Sequence, residues 1–188
     1  MNRSVCVFCG SAPGARPSYS RAALDLGRAF ARLGITLVYG GGRLGLMGVI
    51  ADAVLQAGGR VIGVIPRMLI ERELAHPGIT TQHVVTTMHE RKTLMAELSD
   101  AFVGLPGGMG TFDELVEIVT WAQLGLHSKP VVLANIEGYF GAMYGMLDNA
   151  VREGFVTAES RARWRNADSI DGVMQILAKE GVAGEGIP

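Results

Sequence analysis

The chain has only two cysteines, Cys6 and Cys9, and four histidines. Their C-x-x-C spacing falls inside the apolar run Val5-Cys6-Val7-Phe8-Cys9. A thioredoxin-type pair sits instead where a strand gives way to a helix, and a zinc site needs a second pair. Cys6 and Cys9 therefore read as two small buried residues of a reduced, cytoplasmic protein. H-E-x-x-H is absent, and His76, His83, His89 and His127 lack ligand spacing, so no metal is expected. G-x-x-x-x-G-K-[ST] is missing too, which excludes a Walker-type NTPase. The formal net charge is -1 and no Lys/Arg-rich run occurs, so a long polyanion such as nucleic acid is not an expected partner. No apolar stretch approaches the roughly 20 residues of a membrane-spanning helix. The start, Met1-Asn2-Arg3-Ser4, leads into a short apolar run, and no signal peptide is expected.

What is present is glycine, 26 residues, in a chain of 188 that is 48% apolar. That suits one globular domain, residues 1–180, with many tight turns and a frayed tail over 181–188. Short apolar runs alternate with amphipathic stretches. Strands are expected over 4–9, 35–39, 60–65, 83–87, 101–105 and 130–134, and helices over 18–33, 45–56, 88–98, 111–124, 139–153 and 170–180. Residues 67–82 have weak periodicity and read as a loop with one helical turn, long enough to suspect function. Alternating β and α with apolar strands implies a parallel sheet covered by helices on both faces. Ligands of such sheets bind beyond the carboxyl ends of the strands. Three glycine turns fall there, at Gly10–Gly14, Gly40–Gly45 and Gly107–Gly110.

Gly40-Gly41-Gly42-Arg43-Leu44-Gly45 matches G-x-G-x-x-G between a strand and a helix. A dinucleotide site also needs an acidic residue about 20 positions on. Arg60 to Pro66 holds none, so NAD is not expected, and the glycines serve either nucleotide contact or close packing of turn on helix. Pro106-Gly107-Gly108-Met109-Gly110-Thr111 says more. Its glycines let backbone approach an anion, and the helix beginning near Thr111 turns free N–H groups and its dipole toward that anion. Thr111 serves there as helix cap or as a donor to a phosphate.

Along that helix, Phe112, Leu115, Val116, Val119, Ala122 and Gln123 follow helical spacing and form the expected core face. Glu114, Glu117 and Trp121 lie opposite, flanked by Ile118 and Leu124. A solvent face should not carry Trp, Ile and Leu together, so either a second copy of the chain or the C-terminal region covers it. Glu114 would then be a semi-enclosed carboxylate beside the anion, or a dipole-complementing glutamate. Upstream, Met88-His89-Glu90-Arg91-Lys92 opens a helix after a strand. Arg91 can grip an anion bidentately and Lys92 adds a point charge. Adjacent helical residues point about 100° apart, so the two need not face one ligand.

Together these segments resemble the LOG ("lonely guy") family of cytokinin riboside 5′-monophosphate phosphoribohydrolases. P-G-G-x-G-T-x-x-E is matched at Pro106 to Glu114, M-x-x-R-K at Met88 to Lys92, and G-G-G-x-x-G-L-M-G at Gly40 to Gly48. The resemblance runs from the Phe8-Cys9-Gly10-Ser11 turn to about Phe155. It implies a Rossmann-like fold, no cofactor, and a homodimer with the Glu114–Trp121 helix near the interface. It implies hydrolysis of the N-glycosidic bond of adenine-type nucleoside 5′-monophosphates to free base and ribose 5-phosphate. The family's catalytic pair falls on Arg91 and Glu114. Its substrate contacts fall on Glu73, Arg91, Lys92, the turn Gly108, Met109, Gly110, Thr111, Phe112, Asp113 and Glu114, and on Thr120. Gly10, Ser11, Gly41, Gly42 and Met88 are further candidate contacts. The family was long labelled "lysine decarboxylase", which the three lysines, none in an evident cofactor site, do not support.

The expected roles follow from positive charge building on the ribose as the bond breaks. The Gly108–Thr111 turn holds the phosphate, Glu114 stabilises the charge and places water, and Arg91 orients Glu114. The alternative is a carrier of a nucleotide or phosphorylated cofactor without chemistry, as in the molybdenum-cofactor carriers that resemble this family. Single-strand DNA binding, known in related Rossmann-like recombination proteins, is opposed by the near-zero charge.

Overall fold

The computed structural model describes residues 3–72 and 74–183. Glu73 and the tail from 184 lie outside them. The elements run β1 (Ser4–Phe8), α1 (Pro17–Arg32), β2 (Thr36–Tyr39), α2 (Gly45–Gln56), β3 (Val61–Pro66), α3 (Arg67–Ile70), β4 (Thr81–Val85), α4 (Met88–Glu97), β5 (Ala101–Gly104), α5 (Met109–Gln123), β6 (Val131–Ala134), α6 (Gly141–Arg152), α7 (Ala158–Ala162), β7 (Trp164–Ala167) and α8 (Ile170–Lys179). A 3₁₀ turn, Ile136–Gly138, links β6 to α6.

All seven strands are parallel, in the order β4-β3-β2-β1-β5-β6-β7. This is the expected Rossmann-like sheet. Both faces are buried because successive residues of β1 feed opposite cores. Val5 and Val7 pack in the layer that also holds Leu26, Phe30, Ile50 and Leu177. Cys6 and Phe8 pack in the layer with Met95, Leu115, Ile118 and Phe140. That period of two, with apolar residues on both sides, is what a central strand of such a sheet requires. Chain order reverses between β1 and β5, the point where a crevice opens at the carboxyl ends of an α/β sheet.

Four features differ from the sequence reading, the smallest being that β4 runs over Thr81–Val85 and not over 83–87. The edge strand β7 and the short α7 before it were not expected. Trp164-Arg165-Asn166-Ala167 pairs only with β6, so its polar residues reach solvent and leave no apolar run to recognise. Helix α5 begins at Met109 with Gly108 as N-cap, so Thr111 stands at the third helical position and is not the cap. Its core face is Leu115, Ile118, Val119 and Ala122, not the set centred on Phe112 and Val116. Val116 is exposed, Gln123 is exposed, and Ile118 is interior. Trp121 packs partly against the same core. With apolar residues on three sides of this helix, periodicity alone did not set its phase.

Helix α4 is started by a capping box: the Glu90 N–H donates to the Thr87 hydroxyl at 3.1 Å and the Thr87 N–H donates to the Glu90 carboxylate at 3.3 Å. One residue on, Arg91 is thereby aimed at the sheet. At the far end of the described chain, Val182 and Ala183 are buried against the α8 layer.

Candidate active site

The glycine turns after β1, β2 and β5 meet at the reversal point and enclose a cavity of about 330 Å³. They sit close because they interlock. Leu46 donates its N–H to the Gly10 carbonyl at 3.0 Å, and Gly10 donates to the Pro106 carbonyl at 3.0 Å. A Cβ on Gly45, whose φ is 59°, would collide with the backbone of Ser11 and Ala12. The G-x-G-x-x-G turn thus serves packing at Gly45 and lines the cavity at Gly40 and Gly42.

Arg91 is buried at the cavity floor, 8% exposed. Its Nε donates to the Val64 carbonyl at 3.1 Å and its Nη2 to the Gly40 carbonyl at 3.0 Å, tying the ends of β3 and β2 together. A Cβ on Gly40 would strike this guanidinium, which is why the turn starts with glycine. The remaining nitrogen, Nη1, lies 3.8 Å from Glu114 Oε1, beyond hydrogen-bond reach. Glu114 comes from the second turn of α5, and its side chain is 13% exposed. Burial pushes its carboxyl up, Arg91 pulls it back, and Asp113 and Glu117 add a smaller push against Lys92; the balance is about 7. Loss of water outweighs the unbonded cation. The result is a carboxyl that exchanges its proton at neutral pH, as a general base or acid requires.

Facing this pair is the N-terminus of α5. Gly108, Met109, Gly110 and Thr111 line the cavity, and the first-turn N–H groups of a helix have no intrahelical partner. Thr111 is 3% exposed, with its hydroxyl packed at Gly107. The turn offers an anion site within the same cavity as the Arg91–Glu114 pair. The opposite wall is apolar: Met47, Ile65, Leu69 and Leu74. Leu69 and Leu74 belong to the segment after β3, which docks on the glycine turn. Gly42 bridges Ala75, Arg43 donates to the Leu74 carbonyl at 2.9 Å, and His76 donates to the Gly41 carbonyl at 2.9 Å. His76 Nδ1 accepts the Gly78 N–H at 3.1 Å, so Nε2 carries the proton and donates to Asp52 at 3.1 Å.

Other expected site residues scatter. Lys92 turns away from the cavity to the side of α5, 3.1 Å from Asp113 and 2.9 Å from Glu117. Burial draws its ammonium down, and those two partners outweigh it to leave the group raised. Phe112 stacks on Tyr139 at a centroid distance of 6.4 Å. Met88 lies beside Arg91, its sulfur 4.0 Å from Nη1. Thr120 stands on the exposed side of α5, nine residues beyond Thr111, its hydroxyl bonded to the Val116 carbonyl at 2.7 Å. Within one chain it does not reach the cavity. Gly10 and Ser11 border a neighbouring cavity of about 240 Å³ on the far side of the turn, and Ser11 lines both. Glu73 lies outside the described residues. Cys9 lines the cavity wall; it and Cys6 are free and buried, and burial pushes both thiols up. The sequence reading weighed Gly40 for nucleotide contact but missed Cys9 and the four apolar wall residues. Cys9 carries a usable signal, standing just past the end of the apolar strand β1.

A family model described as "Possible lysine decarboxylase" matches residues 47–177. Cytokinin riboside 5′-monophosphate phosphoribohydrolase LOG3 of Arabidopsis thaliana is 50% identical over 159 residues, covering 85% of this chain and 74% of that protein. The chain belongs to the LOG family. The cytokinin riboside 5′-monophosphate phosphoribohydrolase of Rhodococcoides fascians is 49% identical over 176 residues, covering 93% of this chain and 89% of the relative. Among solved structures, the molybdenum cofactor binding protein from Rippkaea orientalis superposes with a TM-score of 0.72 at 20% identity, over 96% of this chain and 98% of that one. The Chlamydomonas reinhardtii Moco carrier protein gives 0.71 at 21%, over 97% and 98%. These two share the LOG chain's fold. The decarboxylase label of the family model finds no lysine at the cavity among the described residues. Lys92 is paired outside it, Lys129 donates to the Ala96 carbonyl at 2.8 Å, and Lys179 is exposed at the end of α8.

Proposed function

We propose that this LOG-family chain is a phosphoribohydrolase that cleaves adenine-type nucleoside 5′-monophosphates, cytokinin riboside monophosphates among them, to free base and ribose 5-phosphate. One observation carries the reading: a buried carboxyl with its acidity set near 7, beside an arginine, shares a cavity with a glycine-rich helix N-terminus. The phosphate docks on the Gly108–Thr111 turn. The ribose then spans toward Glu114, and the base lies on the apolar wall, where Leu69 and Leu74 suit an apolar N6 substituent. As the C1′–N9 bond breaks, its electron pair leaves with the base and positive charge builds at C1′. Ionised Glu114 stabilises that charge and accepts a proton from water, whose oxygen bonds C1′. The base takes up a proton from solvent as it departs, and Glu114 returns to solvent the one it accepted. Arg91, fixed by two backbone carbonyls, sets its positive charge 3.8 Å from Glu114 and meets the ribose hydroxyls or phosphate.

The protein works as a homodimer in this reading. Helix α5 leaves Met109 (82% exposed), Val116 and Leu124 (68%) uncovered, and α6 buries none of its residues. A second copy laid there would shield this apolar stripe and bring its own Thr120 toward the neighbouring cavity. Free, buried cysteines suit the reducing cytoplasm, and no helix among the described residues is long and apolar enough to cross a membrane.

Chromatography of base release from AMP, isopentenyl-AMP, GMP and CMP tests the activity. Release from the adenine nucleotides is expected. Nucleotide binding without release from any of the four would replace the enzyme by a carrier.

A further inference from the structure

Tyr139 takes no part in the chemistry above, yet it stands against the phosphate turn. The chain leaves β6 through two residues in left-handed conformation, Glu137 (φ 56°) and Gly138 (φ 72°). Such a conformation at a non-glycine is uncommon and is held by its surroundings. Here Asn135 does the holding. Its side-chain oxygen accepts the Phe140 N–H at 2.7 Å, and its carbonyl accepts the Gly138 N–H at 3.0 Å. The ring that follows is fixed on three sides: edge-on to Tyr19 at 5.7 Å and to Phe140 at 5.1 Å, and nearly parallel to Phe112. Its hydroxyl donates a hydrogen bond to the carbonyl oxygen of Gly107.

That carbonyl belongs to the residue just before the N-cap of α5. Its neighbour, the Pro106 carbonyl, is tied to Gly10. Both carbonyl dipoles at the mouth of the anion site are therefore turned away from it and held there. A peptide flip at Gly107–Gly108, easy for two glycines, would swing a carbonyl oxygen toward the phosphate and remove an N–H from it. We propose that Tyr139 is a positioning residue: its hydroxyl locks the Gly107 peptide so that the turn presents only donors to the 5′-phosphate. The phosphate itself rests on the reading above.

Tyr139→Phe keeps the ring contacts and removes the lock. Calorimetry with ribose 5-phosphate reads the turn without the chemistry, and steady-state kinetics on isopentenyl-AMP reads it with the chemistry. The loss of one hydrogen bond should weaken ribose 5-phosphate binding by about five- to tenfold. KM for the nucleotide should rise by a similar factor, with kcat and melting temperature near those of the parent. Unchanged affinity for ribose 5-phosphate overturns the proposal, as does a lowered kcat at constant KM or a lowered melting temperature without any change in affinity. If the parent releases no base but binds ribose 5-phosphate more tightly than Tyr139→Phe, the activity reading fails and the positioning role stands. A parent that does not bind ribose 5-phosphate at all ends the role of Tyr139.

Discussion

Replacing Glu114 by Gln should make the protein more stable at alkaline pH while removing its activity. The native carboxyl has its acidity set at about 7 by burial, against 4.5 for the ordinary group. Between those values the native state holds a proton that the unfolded chain has released, so stability falls as pH rises through that window. Above about 7 both states are ionised, and the folded protein carries the whole cost of a charge it keeps from water. Raising the carboxyl from 4.5 to about 7 corresponds to roughly 3 kcal/mol. Glutamine has the shape of the protonated form and cannot ionise. Urea unfolding at pH 5, 6.5 and 8 should show Glu114→Gln near the parent at pH 5 and more stable by up to about 3 kcal/mol at pH 8, which is roughly 6–12 °C in melting temperature for a chain of this size. The parent's stability should decline across the series and the variant's should not follow it. Base release should drop by about 10²–10⁴-fold, the usual worth of a general base. A variant less stable than the parent at pH 8, or offset by a constant amount at every pH, would refute the claim that burial outweighs Arg91 at Glu114.

The same group sets the rate profile: kcat/KM for isopentenyl-AMP should rise with pH and level off above about 7, and a flat profile between pH 5.5 and 8.5 would remove Glu114 as base. Arg91→Ala should abolish base release and also cost roughly 2–6 kcal/mol in urea unfolding, since the Val64 and Gly40 carbonyls each lose a buried donor; unchanged stability would mean that water replaces the guanidinium. Val116→Glu combined with Leu124→Glu should shift the protein toward monomer in sedimentation and lower activity, because the apolar stripe of α5 is proposed to face a second copy.

Much of the fold is legible in the sequence because its central strands are apolar on both sides. Val5 to Phe8 and Ala101 to Gly104 have no solvent face to confuse the pattern. The edge did the opposite: Arg165 and Asn166 in β7 look like loop residues, since only one side of that strand is paired. The phase of α5 was lost for a third reason. Val116, Ile118 and Leu124 are equally apolar, and only the tertiary packing decides that Ile118 goes inward. Within the site, Arg91 and Glu114 stood out through their motifs, although nothing in the spacing could bring residues 23 positions apart to 3.8 Å. The apolar wall left no trace, because Met47, Ile65, Leu69 and Leu74 come from separate stretches and become neighbours only when the segment after β3 folds back.

That fold-back separates two kinds of inheritance. The segment is fastened to the Gly40–Gly45 turn through peptide groups, Gly42 to Ala75, Arg43 to Leu74 and His76 to Gly41, and backbone bonds are indifferent to the side chains they carry. Residues 69 and 74 are free to drift over generations without loosening their own attachment. Arg91 has no such freedom, since its own side chain is the fastener. On the proposed reading, a lineage built this way can explore new bases while the Arg91–Glu114 pair stays as it was, so two descendants sharing every motif could still answer to different nucleotides.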